Sequence, residues 1–540
     1  MTAPPSGPLS GPTLDRAASR MALITVVSRA TGFIRVVVVT AVLGTSFLAN
    51  TYQSANSVPN LLFELVAAGA LQAGLIPILV KLVDRGDDRR TGAVAGSLIG
   101  LGCLATGIAV TLAALFGHSL MAWLVHGVSD PAIRTAEIRL GVFFLWVFAP
   151  QVVLYVANAV CTAVLHTRGR FGLPAAAPIL NNVIVIGTYI VFNQLRHSQA
   201  PTLDLRPVEK WVLAAGTTAG VVAFCGAVVA GAVAAQPHIR PNLRYRDPEV
   251  ISVLRSSAWV IGYVALTQVL SFVMLQAVNR QEGGVAAFGL AWVVFLLPHS
   301  LLVVPLVTTR FPALARASLE PPGDDDTLSA GLRAVTFCAF GAAALLGGLA
   351  LPLSRVIAVG RAAASSNEVA GALAALAVGL VGYSVTLLLT RASYATGDPV
   401  TPFVINLVCV TAAAIALWTW AGDVAPARVV AVVALIHSVT FIVSACWLGI
   451  SVLRRVDATG MIWRRWLPRA ASQVAVALVI VAVARLLGGA IGDRGRLTDA
   501  AVVIGVGGAL AVAYVLGTGW FGGPSFRDAI ATFGAGRPDG

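Results

Sequence analysis

The chain has 540 residues, 57% of them apolar and only 11% charged, with a net charge of +13. Soluble domains carry about 25% charged residues, so this composition excludes an ordinary soluble protein. Continuous apolar runs, without the ten-residue alternation of barrel strands, predict a bundle of transmembrane helices of roughly 20 residues each.

In chain order, residues 1–19 are rich in Pro, Ser and Gly and lack a basic n-region, which predicts a disordered cytoplasmic tail and not a cleaved signal peptide. Predicted spans in the first half are 20–48, 52–80, 91–115, 135–165, 175–194 and 211–235. Those in the second half are 249–279, 285–309, 328–352, 367–393, 400–421 and 427–452, followed by a pair at 468–490 and 498–520. The expected fold is an all-α integral membrane protein of about 14 transmembrane helices. Its two six-helix lobes cover 20–240 and 241–455, a C-terminal helix pair covers 456–522, and 523–540 is a second cytoplasmic tail.

Lys and Arg set the orientation. With the N-terminus inside, the inner loops hold about 21 basic residues and the outer loops about 10, which predicts both termini in the cytoplasm. The inner clusters are Lys81, Arg85, Arg89 and Arg90, then Arg240, Arg244 and Arg246, then Arg454, Arg455, Arg464 and Arg465. An outer loop with Arg196, Arg206 and Lys210 runs against the trend. The halves also look repeated. Thr167-Arg168-Gly169-Arg170 leads to Pro174, Pro178 and Asn181, as Thr396-Gly397-Asp398 leads to Pro399, Pro402 and Asn406. Pro59 and Pro298 sit inside the second and eighth predicted helices. A repeat of this kind places a binding cavity between two lobes.

Arg29 and Arg35 fall inside the first helix. An Arg at mid-membrane costs roughly 2.5–3.5 kcal/mol on insertion scales, so it seeks a wet cavity or a partner. Arg29 has a second reading, snorkelling to the surface. Arg35 lies deeper and needs an anion, either Glu64 or a substrate phosphate. The second helix opens with Asn50, and Gln53, Asn56 and Asn60 then recur at helical spacing, with Glu64 four residues further on. These side chains either line a cavity or join helices by hydrogen bonds. Pro59 predicts a kink there.

The remaining candidates are weaker. Cys103, Cys161, Cys225, Cys338, Cys409 and Cys446 lie in apolar runs without a CxxC pair and read as packing residues. Asp324-Asp325-Asp326 follows Pro321-Pro322-Gly323 and reads as a solvated turn, not a metal site. His299 and His437 read as hydrogen-bonded core histidines, with proton coupling as the alternative. Arg391 reads as snorkelling. There is no GxxxxGK[ST] loop, no cofactor is expected, and the chain is not read as an enzyme. The basic balance suits lipid headgroups and not nucleic acid.

Ser28-Arg29, Gly32-Phe33, Arg35, Gly44, Pro59-Asn60-Leu61-Leu62, Gly69-Ala70, Ile76-Pro77 and the later Ala177-Pro178-Ile179-Leu180-Asn181-Asn182 together resemble the MurJ/MviN flippases of the multidrug/oligosaccharidyl-lipid/polysaccharide exporter superfamily. The resemblance implies two lobes around a cationic cavity and a terminal pair forming a lipid-tail groove. It implies outward movement of a polyprenyl-diphosphate-linked cell-wall precursor, lipid II above all. It also implies membrane lipids and cell-wall synthesis or division proteins as partners. Arg29 and Arg35 match two family arginines that engage the diphosphate. Asn50, Phe63, Val293, Leu296 and Val410 stand where charged residues are usual, so this cavity is expected to be less charged. Export of another lipid-linked saccharide or amphiphile, and a non-transporting scaffold, remain the rival readings.

Overall fold

The computed structural model describes residues 12–67, 70–197, 199–308, 326–420, 424–455, 467–491 and 495–520. Asp324, Asp325, Arg464, Arg465, Gly69 and most of the two expected tails lie outside the described residues. Everything regular within them is helical, as lipid requires of a backbone that must satisfy its own hydrogen bonds.

The helices of the first half are α1 (Pro12–Leu43), α2 (Phe47–Ala67), α3 (Ala70–Asp84), α4 (Asp88–Leu124), α5 (Pro131–Phe148), α6 (Gln151–Thr167), α7 (Gly172–Leu195) and α8 (Pro207–Ala235). The second half has α9 (Pro248–Val278), α10 (Gly284–Pro298), α11 (Asp326–Gly348), α12 (Ala350–Ile357), α13 (Ser366–Ala395), α14 (Val400–Trp420) and α15 (Pro426–Arg455). The last elements are α16 (Leu467–Ile491), α17 (Arg496–Ala501) and α18 (Gly507–Trp520). Among the described residues, 13 helices are long and apolar enough to cross a membrane. The expected 52–80 span accounts for the difference from about 14: residues 68 and 69 within it lie outside the described residues, and polar side chains dilute α2.

Local chemistry sets several boundaries. Asp130 caps α5, accepting from the Ala132 and Ile133 amides at 2.7 and 3.2 Å, with Pro131 at the first helical position. Asp247 and Pro248 start α9 in the same way. Gly169 and Gly397, in the two turns predicted to correspond, take φ of +69° and +74°, a left-handed conformation that favours glycine.

Packing follows side-chain size. In the first half Tyr52, Phe144, Phe148 and Tyr189 form a buried aromatic core with edge contacts around Tyr52 at 5.4–5.8 Å. In the second half α13 lies against α15 at Gly379 and Gly382. A Cβ on Gly382 would come within 2.7 Å of the Ile442 backbone nitrogen. Small residues permit this approach, which replaces the missing hydrophobic drive between helices in lipid. The terminal pair packs on α11, where the Tyr514 hydroxyl donates to the Phe337 carbonyl at 2.9 Å and Ile480 joins the same cluster. All six cysteines are unpaired; Cys161 and Cys409 are buried among helices.

Candidate functional site

Helix α2 divides the predicted polar face between two adjoining cavities. The first, about 120 Å³, is lined by Arg35 and Thr40 of α1 and by Gln53, Asn56 and Asn60 of α2. Tyr155, Asn181 and Thr217 of α6, α7 and α8 complete its polar wall. The second, about 390 Å³, is lined by Gln53, Ser57 and Glu64 of α2 and by an aromatic wall from α10, α13 and α15. A step of four residues advances about 40° beyond a full turn. Asn56 and Asn60 therefore sit to one side of Gln53 and Glu64 to the other, and Gln53 borders both cavities. The expectation of one shared face is corrected by this drift.

Arg35 is half-buried and forms no ion pair among the described residues. It shares the first cavity's wall with Tyr52 and Tyr155. The Tyr155 hydroxyl donates to Asn60 Oδ1 at 3.2 Å, and Tyr52 shares a 2.5 Å hydroxyl contact with Thr217. Asn181 Oδ1 is buried without a partner, a cost that a donor entering the cavity removes. Arg35 and Glu64 face different cavities, so the direct pairing considered for them is not made. Arg29 is exposed and lines neither cavity, though its charge acts on Glu64.

Asn50 belongs elsewhere. Fully buried, it donates to the Gln281 carbonyl at 2.8 Å and accepts from the Val285 amide at 3.1 Å. Both its polar ends are used in joining α2 to the α9–α10 turn, and it lines neither cavity. Around it, Ser54 meets Asn279 at 2.9 Å and Thr45 meets Ser365 at 2.7 Å. Arg361 donates to the carbonyls of Val42 and Gln199. These contacts tie the two halves together at one end of the bundle.

Other expectations resolve individually. His299 is hydrogen-bonded as expected, with Nδ1 3.1 Å from the Ser384 hydroxyl. His437 is not: its Nδ1 is buried without a partner, and the ring lines the second cavity. Arg196 and Arg206, two cations of the discordant outer loop, converge on buried Glu209 at 3.1 and 2.8 Å and hold that loop. Sequence reasoning missed Tyr155 and Thr217, whose positions depend on helix packing. It also singled out Glu64, which is exposed, and passed over Glu137 in α5, which is fully buried and accepts from the Thr51 hydroxyl at 2.9 Å. Among the described residues no His, Cys, Asp and Glu group is arranged to hold a metal.

Residues 39–492 match the family model described as lipid II flippase MurJ. A lipid II flippase MurJ of Burkholderia cenocepacia is 26% identical over 397 residues, covering 72% of this chain and 75% of that protein. A probable lipid II flippase MurJ of Haemophilus influenzae is 25% identical over 406 residues, covering 71% and 76%. Among solved structures, a lipid II flippase MurJ in an inward closed conformation superposes with a TM-score of 0.72 at 17% identity, covering 94% of this chain and 99% of that one. An inward-facing multidrug resistance MATE family transporter gives 0.62 at 14% identity, covering 81% and 99%. At these identities the structural likeness concerns the fold.

Proposed function

The chain belongs to the lipid II flippase MurJ family, and we propose from that premise that it carries lipid II across the cytoplasmic membrane by alternating access. The observation that supports this most is the placement of Arg35. Its guanidinium stands in a polar cavity within the bundle without an ion pair among the described residues. A diphosphate supplies the missing anion through paired hydrogen bonds.

In this reading both termini face the cytoplasm and two six-helix lobes rock about the cavity. Arg29, outside the cavity wall, meets the headgroup first and Arg35 receives the diphosphate. Gln53, Asn56, Asn60 and the unpaired Asn181 oxygen take sugar or peptide groups. Opening on the far side requires the contacts of Asn50, Thr45 and Arg361 to break. Membrane lipids accommodate the polyprenyl tail, and proteins that make or consume lipid II are the implied partners.

The test measures lipid II exposed on the outer face of cells depleted of this protein. Exposure should collapse and return on re-expression of the wild type. Unchanged exposure under depletion would contradict the proposed cargo.

A further inference from the structure

The two cavities carry opposite charge. Among the described residues, the first has Arg35 and no acid in its wall, while the second has Glu64 and no Lys or Arg. Around the second stand Phe288, Trp292, Tyr383, His437 and Phe441. Ring centroids of Phe288 and Trp292 are 5.8 Å apart, Trp292 and His437 5.0 Å, His437 and Phe441 4.7 Å, and Tyr383 and Phe441 4.8 Å, so the rings form one continuous wall. Aromatic faces attract cations, most strongly where water is scarce. Among the described residues no salt bridge engages the Glu64 carboxylate, although Arg29 acts on it at longer range. His437 Nδ1, on a ring only 4% exposed, is unpartnered. At about 390 Å³ the space falls within the usual range of small-ligand sites, about 300–1,000 Å³.

We propose that this second cavity is a binding subsite for an alkylammonium group, held by Glu64 and the aromatic wall. A primary ammonium donates to the carboxylate and to His437 Nδ1, and its positive charge lies against the rings. Because Gln53 borders both cavities, one ligand with a diphosphate at one end and an amine at the other spans them. A peptide amine of the lipid-linked cargo has that chemistry, and so does a free amphiphilic amine. The first source rests on the flippase reading; the binding itself does not.

The experiment uses the purified full-length chain in nanodiscs and saturation-transfer NMR. The probe is Nα-acetyl-lysine amide, and Nα,Nε-diacetyl-lysine amide is its uncharged control. Wild type should bind the probe and not the control. Glu64→Gln should weaken binding about tenfold, the loss expected of one charge-assisted contact. Glu64→Asp, which keeps the charge, should retain binding and so separates loss of the site from loss of the fold. Equal binding of probe and control, or undiminished binding by Glu64→Gln, would overturn the proposal. Two further arms identify the source. Slower flipping of lipid II acetylated at its peptide amine assigns the site to the cargo. Equal flipping with probe binding intact assigns it to a free amine. If no flipping occurs at all while the probe still binds, the cargo reading fails and the ammonium site stands.

Discussion

Asn182 and Asn406 occupy equivalent positions in the two halves of the molecule. Asn182 of α7 donates to the Thr31 hydroxyl of α1 at 3.1 Å, and Asn406 of α14 donates to the Thr267 hydroxyl of α9 at 3.3 Å. Each amide also reaches a backbone carbonyl on the same partner, Ser28 at 3.5 Å and Tyr263 at 3.0 Å. The repeat glimpsed in the turns therefore extends to helix pairing, with Asn182, and not its neighbour Asn181, matching Asn406.

This correspondence predicts matched losses. Interhelical hydrogen bonds in membranes average about 0.6 kcal/mol and reach about 1.7. Asn182→Ala and Asn406→Ala should each lower stability by that order in detergent unfolding. A neutral effect at both sites would show that these bonds do not hold the helix pairs.

The join between the halves gives a second prediction. Thr45 and Ser365 hydroxyls lie 2.7 Å apart on opposite sides of it, close enough for a disulfide if both become cysteine. Oxidising the Thr45→Cys, Ser365→Cys protein should stop transport and reduction should restore it, because opening requires separation here. Normal transport by the fully cross-linked protein would mean that this end never opens.

A third concerns Asp398, in the turn between α13 and α14 and outside the predicted spans. Burial pushes its carboxyl up, but hydrogen bonds from Thr401 and the Arg455 guanidinium outweigh this and hold it below the usual range. A depressed carboxylate contributes stability that is fully present above its unfolded value, about 3.9. That contribution is lost as pH falls through the lower folded value. Asp398→Asn should therefore melt earlier than wild type at pH 7, and the gap should narrow towards pH 3. A gap independent of pH would exclude the ion pair as its cause.

The spans were legible because lipid demands long apolar runs, and Arg35 stood out because an uncompensated charge at that depth is costly. Other features depended on tertiary geometry. Asn50 and Asn56 look alike in sequence, yet one is consumed at the join and the other lines a cavity. Likewise His299 meets Ser384 whereas His437, among the described residues, meets rings without a hydrogen bond to Nδ1. The slow rotation of an i, i+4 strip, enough to send Asn60 and Glu64 to different cavities, acts only once neighbouring helices are in place.

The most direct test of the account is lipid II flipping by reconstituted Arg35 variants. Arg35 lies 15 residues beyond Arg20, some 22 Å along a helix at about 1.5 Å per residue, within a hydrocarbon core of about 30 Å. Arg35→Ala should insert normally and lose transport, and Arg35→Lys should recover part of it, keeping the charge but not the two-pronged fork. Because Glu64 faces the other cavity, adding Glu64→Gln to Arg35→Ala should restore nothing. Full flipping by Arg35→Ala in protein of normal abundance would contradict the role assigned to this cavity.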